Sequence, residues 1–343
     1  MRTGVIRLGI IGCGMAVKRL HWPALGRLDR HVQVVAIARR NYKQAKLFAV
    51  EAKIGRVYAD YRDLLGDAQV DAVLTAVPIE MNGSVLLDVL RSGKHVMAEK
   101  PIAPTIKQAR SILREMSGRD QTVLIGENFR YRRDLSEAKT ILDSGLIGDV
   151  FAFQLKVNFD ITAKTRKPWI SRGWRHEARH PGGFILDAGV HPVAALRDLL
   201  GEVREVCAYV LDTSSVIHGP DSILMQVRMD SGVVGQCFFC YTSKERRESP
   251  LDFTIFGTKG VLRVERNGIA ITHELGKPRR LVRIAVGGEY LRQWKNFCGA
   301  IRGEEAIIST AERACGDLAV IDAALHSSST GRPCAVTEEF HIG

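Results

Sequence analysis

The 343-residue sequence has no apolar run approaching the roughly 20 residues that cross a bilayer, so no membrane-spanning segment is expected. It has no small, cysteine-dense framework. Its seven cysteines are odd in number and widely spaced, which fits reduced thiols in a cytoplasm rather than a disulfide scaffold. Cys237 and Cys240 form a C-x-x-C, but Gly235 to Cys240 reads as a strand, where an odd offset sends the two thiols to opposite faces. No shared metal is expected there. Internal repeats, low-complexity tracts and a basic tail are also missing. Arg2 and the apolar residues after it imitate a leader peptide, yet Arg7 interrupts the run and glycines follow where a cleavage site belongs, so no leader is expected.

Hydrophobic residues make up 45% and charged residues 25%, ordinary values for a globular protein, and the length favours two domains. The formal charge of +11 is the outlier. Lys and Arg are spread through periodic segments with no recognition-helix or zinc-finger pattern, so the expected partner is a small molecule and not nucleic acid.

Val5 to Met15 reads as a buried strand running into a glycine turn at the start of a helix. Gly12 lets the chain reverse, and Gly14 lets backbone N–H groups approach a pyrophosphate at a helix N-terminus. Val17 fills the third small position, so the dinucleotide fingerprint is truncated and its weight comes from context. That context is six alternations of strand and helix up to about Gly126. They specify a doubly wound parallel sheet, a Rossmann domain over residues 1–126, with its ligand at the carboxyl ends of the strands. The first helix is expected to bend or end at Pro23, and a later one to run from Ser84 to Arg91.

Residues 127–343 change rhythm. Alternating segments at about 150–158, 203–211, 223–228, 233–240, 252–256 and 261–265 predict an α+β domain with a large, mostly antiparallel sheet, followed by helices near 289–301 and 310–328. Such a sheet hides one face against helices and offers the other to a second subunit, which makes a homodimer or homotetramer the expectation.

In an NAD-binding fold an acid at the end of the second strand receives the adenosine ribose hydroxyls, but here Arg39 and Arg40 stand in that place. A guanidinium pairs with a 2′-phosphate through charge-assisted hydrogen bonds, so NADP (NADPH) is favoured over NAD.

Gly12-Cys13-Gly14, His21-x-Pro23-Ala24-Leu25, Asp71-Ala72-Val73 and the run Gly93 to Pro101, with Glu99-Lys100-Pro101, occur in order. With Asn128-Phe129-Arg130-Tyr131, Gly182-Gly183 and Asp187-Ala188-Gly189-Val190-His191, the chain resembles the glucose–fructose oxidoreductase / inositol dehydrogenase (Gfo/Idh/MocA) family along nearly its whole length. The resemblance implies a nicotinamide-dependent dehydrogenase or reductase acting on a sugar, cyclitol or related polyol. It implies that Lys100 contacts the substrate hydroxyl and the nicotinamide ribose, that Asp187 orients the substrate, and that His191 exchanges the proton. The expected cofactor set is Gly12, Gly14, Met15, Ala16, Arg39, Arg40, Pro78, Glu99 and Lys100; the expected substrate set is Asn128, Arg130, Trp174, Arg175, Asp187 and His191. Physical chemistry supports that division. Hydride transfer at a carbinol carbon needs a partner for the hydroxyl proton, which histidine supplies near neutral pH, and an ammonium favours charge developing on the oxygen.

Two features depart from the family. Pro192-Val193-Ala194-Ala195 lacks the second acid that inositol-type members carry after the histidine, and Asn82 stands where a histidine is familiar after the fourth strand. His176-Glu177-Ala178-Arg179-His180 spells H-E-x-x-H, but Pro181-Gly182-Gly183 is hostile to the sustained helix that zinc chemistry needs, so no metal is expected. Lys164, Arg166, Lys167, Arg172 and Arg175 form a basic stretch that would suit an anionic substrate. The rival readings are a glycosidase of the same family that borrows NAD for a transient oxidation, and a non-enzymatic cofactor-binding regulatory protein.

Overall fold

The computed structural model describes residues 4–163, 180–244, 251–265, 268–273, 280–285, 287–337 and 340. Trp174, Arg175, the basic stretch and residues 176–179 of the H-E-x-x-H motif lie outside the described residues. The chain forms two compact units, Met1–Glu127 with Gly288–Cys315, and Asn128–Gly287 with Gly316–Gly343.

The first unit contains strands β1 (Ile6–Ile11), β2 (Val32–Ala38), β3 (Arg56–Tyr58), β4 (Ala72–Thr75), β5 (His95–Ala98) and β6 (Val123–Ile125). They make a parallel sheet in the order β3-β2-β1-β4-β5-β6. The strand order reverses between β1 and β4, which is where a doubly wound sheet opens its ligand crevice. Every residue of β4 is fully buried, as a strand covered on both faces must be. Helices α2 (Tyr42–Glu51), α3 (Tyr61–Gly66), α4 (Ile79–Arg91) and α5 (Ile106–Met116) complete the alternation. Side chains cap three of them, Asn41 accepting from the Gln44 N–H, Asp60 from Arg62 and Thr105 from Gln108.

Two expectations here need correction. Of the two outcomes expected at Pro23, bending or ending, the helix does not end there. Val17–His21 forms a wide π-type turn, closed by the Trp22 N–H on the Val17 carbonyl, and α1 (Trp22–Leu25) restarts there. Pro23 thus occupies a first turn, where a missing N–H costs nothing. Helix α4 begins at Ile79 directly after Pro78, five residues before the expected start, and so brings Asn82 into its first turns.

The second unit carries β7 (Val150–Asn158), β8 (Val203–Leu211), β9 (Ser222–Met229), β10 (Val234–Cys240), β11 (Leu251–Gly257), β12 (Gly260–Glu265), β13 (Gly268–Thr272), β14 (Arg280–Arg283) and β15 (Cys334–Ala335). They form one sheet in the order β14-β13-β12-β11-β7-β10-β9-β8-β15. Only β7 and β10 pair in parallel. Helix α6 (Arg133–Asp143) lies on β12 and β13. Residues 183–200, whose glycines and Pro192 give the sequence no helix signature, form α7 (Gly183–Ala188) and α8 (Val190–Leu200). Pro192 is tolerated because it falls in the first turn of α8.

The C-terminal helices are α9 (Glu289–Arg302) and α10 (Ala311–Thr330). Residues 288–315 belong to the first unit, not to the 127–343 domain expected for them. The reason is burial: Trp294 and Phe297 of α9 are wholly enclosed, and the Ser309 carbonyl receives the Ile125 N–H at 3.0 Å, satisfying the edge strand β6. Later in α10, Ser327 and Ser328 accept the N–H groups of Ala208 and Val210 on β8.

Candidate active site

In the first unit the glycine turn follows β1 directly. Gly12 has φ +88°, and a Cβ there would stand 2.3 Å from the Ala76 carbonyl oxygen, so no other residue fits. A Cβ on Gly14 would meet no protein atom within 4 Å. The space in front of Gly14 is therefore open, as a phosphate cradle requires. Met15 and Ala16 start the helix behind it, with the Lys18 N–H on the Gly14 carbonyl at 3.1 Å. The Arg39 guanidinium rests on this turn, Nη1 lying 3.3 Å from the Cys13 carbonyl oxygen and 3.4 Å from its Sγ. Arg40 reaches toward Met81, Nη2 to Sδ 3.7 Å, beyond Pro78, which caps α4. A cradle and a helix start fit the pyrophosphate of a dinucleotide.

Glu99 and Lys100 extend β5 past the end of its ladder. The last sheet bonds run from the Glu99 N–H to Thr75 at 2.9 Å and from Gly126 to Ala98 at 2.6 Å. Lys100 is half-buried, and its peptide bond to Pro101 is cis. The Glu99 carboxylate accepts from the fully buried His21, Oε1 to Nε2 2.7 Å. Trp294 Nε1, which can only donate, lies 3.1 Å from His21 Nδ1. Nδ1 is therefore the acceptor toward α9, which leaves Nε2 to face the Glu99 carboxylate. Tyr290 meets the His21 ring edge-on at 5.1 Å. Burial first, and then Glu99, Glu127 and Glu289, hold the Tyr290 phenol well above its ordinary pKa.

In the second unit Asp187 lies in the last turn of α7 and His191 in the first turn of α8. Gly189 between them keeps helical angles, φ −72° and ψ −22°, so the two side chains share one face at i, i+4 spacing. A Cβ on Gly189 would stand 2.5 Å from the Ile185 carbonyl oxygen, which explains glycine inside this motif. The Phe129 ring stacks on His191 with centroids 4.9 Å apart and planes at 18°, and it also carries the Arg132 guanidinium at 4.5 Å. Burial and then the charge of Asp187 push the Tyr241 phenol well above its ordinary range.

Asn128 opens the short 3₁₀ turn that holds Phe129 and is half-buried. Arg130, expected to face substrate, is turned into the unit instead. Its side chain is 1% exposed and pairs with Asp317 of α10 at 3.0 Å, and Asp198 lies 3.7 Å away. Arg197 joins the same Asp317 and binds Glu202 through both Nε and Nη2, at 2.7 and 2.8 Å. Although burial opposes it, Asp317 and Glu202 keep the Arg197 pKa above its ordinary value. A charge this deep is retained only because it is paired, and Asp317 supplies that pairing.

Cys237 is buried and Cys240 half-buried, and all seven cysteines are free thiols. Among the described residues no group of three or more His, Cys, Asp or Glu could hold a metal ion, and no helix is long and apolar enough to cross a membrane. His21, Asn82 and Trp294 in the first unit and Phe129 and Tyr241 in the second have no place among the expected site residues. His21 and Phe129 carried a signal as members of quoted motifs and Asn82 as a departure from the family, while Tyr241 and Trp294 carried none.

Residues 6–127 match the model of an oxidoreductase family with an NAD-binding Rossmann fold, and residues 135–263 match the GFO/IDH/MocA C-terminal domain. The chain is 32% identical over 240 residues to dTDP-3,4-didehydro-2,6-dideoxy-α-D-glucose 3-reductase of Actinomadura kijaniata, covering 68% of each protein. A crystal structure of an oxidoreductase from Thermotoga maritima superposes with a TM-score of 0.89 at 30% identity, covering 98% of this chain and 99% of that one. The WlbA dehydrogenase from Bordetella pertussis, solved with NADH and UDP-GlcNAcA, shares the fold at 20% identity with a TM-score of 0.83, covering 97% and 99%. With both halves of the chain matched in order, this protein belongs to the Gfo/Idh/MocA family of oxidoreductases.

Proposed function

We propose that the protein is a cytoplasmic NADP(H)-dependent oxidoreductase that interconverts a carbinol and a ketone on a sugar, cyclitol or sugar derivative. The observation that carries the cofactor choice is the Arg39 guanidinium lying on the glycine turn, where an NAD-specific site would place a carboxylate. The substrate class is supported by the dTDP-sugar 3-reductase named above, which is 32% identical to this chain over 240 residues.

When bound, the nicotinamide supplies or accepts the hydride. Gly12, Gly14, Met15 and Ala16 would hold the pyrophosphate, Arg39 and Arg40 the 2′-phosphate, and Pro78, Glu99 and Lys100 the nicotinamide half. In the reductive direction His191 gives its proton to the substrate oxygen and in the oxidative direction takes it back. Asp187, on the same helical face, orients the substrate hydroxyls. The Lys100 ammonium stabilises negative charge as it develops on the oxygen. Phe129, stacked on His191, fixes the plane of the ring.

The test is a panel of neutral and anionic sugars, cyclitols and their ketones, followed by NADPH absorbance. Turnover of NADP(H) with at least one carbinol–ketone pair is expected. Tightly held cofactor with no net turnover would replace this reading with the glycosidase one, and absence of both would leave the regulatory one.

A further inference from the structure

We infer that Asn82 is the positioning residue for Lys100, acting through the backbone on both sides of it; this rests on the nicotinamide-dependent reading above. Asn82 is 2% exposed and lies within the first turns of α4. Its Nδ2 donates to two carbonyls at once, Glu99 at 2.5 Å and Pro101 at 2.6 Å. Thr75 Oγ1, itself fully buried, stands 3.5 Å from Asn82 Oδ1 on the other side of the amide. The orientation of the amide is thereby decided, because only its nitrogen can serve two carbonyl oxygens.

The sheet does not do this job. Its last bonds engage the Glu99 N–H and the Ala98 carbonyl, so the carbonyls of residues 99 and 101 fall beyond the ladder. Asn82 pins the Glu99–Lys100 peptide and the peptide that follows Pro101, which leaves Lys100 and Pro101 as a short span between two fixed points. A primary amide is the neutral side chain that carries two protons on one atom. Aspartate would set carboxylate oxygens against carbonyl oxygens, and leucine would leave both carbonyls buried without donors.

If Asn82 works through Lys100, its loss must be invisible once Lys100 is gone. The experiment is a double-mutant cycle on the full chain, read as NADPH affinity by nicotinamide fluorescence with thermal melting alongside. Asn82→Leu is expected to weaken NADPH roughly three- to thirtyfold, the span of coupling between residues that share a network, and to add nothing in the Lys100→Met background. Asn82→His, which offers one N–H where the amide offers two, is expected to recover only part of the affinity. If Asn82→Leu does not fold, Asn82→Ser, with a single shorter donor, carries the same cycle. An equal loss in both backgrounds, or a parent-like Asn82→Leu or Asn82→Ser, overturns this inference alone. A parent protein that binds neither NADPH nor NADH overturns the cofactor reading and this inference with it.

Discussion

A guanidinium resting on a glycine turn selects by charge as well as by shape. Arg39→Asp puts a carboxylate where the 2′-phosphate is proposed to sit, so NADPH affinity should fall and NADH affinity should hold or rise. Fluorescence titration of both cofactors checks this, and equal affinities in the parent protein would refute the NADP preference. His191 is tested by its proton. His191→Asn should keep NADPH affinity while turnover drops by about 10²- to 10⁴-fold, and the limb of the pH–rate profile that belongs to its titration should vanish. Near-normal turnover with an unchanged profile would pass the proton role to Asp187 or Lys100. At this scale the sequence offered a signal where chain neighbours carry it: Gly12, Gly14 and Arg39 stand at fixed offsets from a strand end, while Asp187 and His191 were named only through the family resemblance. Trp294 was not readable, because its partner His21 lies 273 positions away and nothing near either residue announces the bond.

Elements place these residues, and their stability is separable from the chemistry. Asp317 of α10 answers two buried guanidinium groups, Arg130 from the 3₁₀ turn and Arg197 from α8, and so ties the segments that carry Phe129 and His191. Asp317→Leu strips a carboxylate from both and should destabilise the fold by about 3–5 kcal/mol, measured by urea unfolding. Arg130→Met should likewise lower the melting temperature. If it instead raises KM in a protein of unchanged stability, Arg130 touches substrate after all. Arg130 shows why composition misleads here: Asn128-Phe129-Arg130-Tyr131 marks the motif, while burial decides which of its members faces inward. The helical run of residues 183–200 was hidden for a related reason. Glycine and proline normally announce a loop, but Gly189 is demanded by the close Ile185 carbonyl and Pro192 sits where no N–H is needed.

For the molecule as a whole, the outer face of the nine-stranded sheet is the remaining unexplained surface. Strand β9 alternates strictly, burying Ile223, Met225 and Val227 and exposing Leu224, Gln226 and Arg228. Register places Tyr209 of β8 opposite Leu224, and Leu224 opposite Phe238 of β10, in one row across that face. Tyr209 is 70% exposed and Leu211, Leu224 and Val234 are each above 40%, a band too apolar for a face meant only for water. The strand pattern made this face legible, and we propose that a second copy of the chain covers it. Two copies at a formal charge of +11 repel one another, so burial of this band must outweigh that repulsion, and added salt should tighten the association by screening it. Light scattering across salt concentrations is the measurement. Leu224→Glu combined with Tyr209→Asp should shift the particle to a monomer while leaving NADPH affinity per chain intact. A parent protein that is monomeric at every salt concentration, or a double variant that still associates, would show that the copies do not meet through this face.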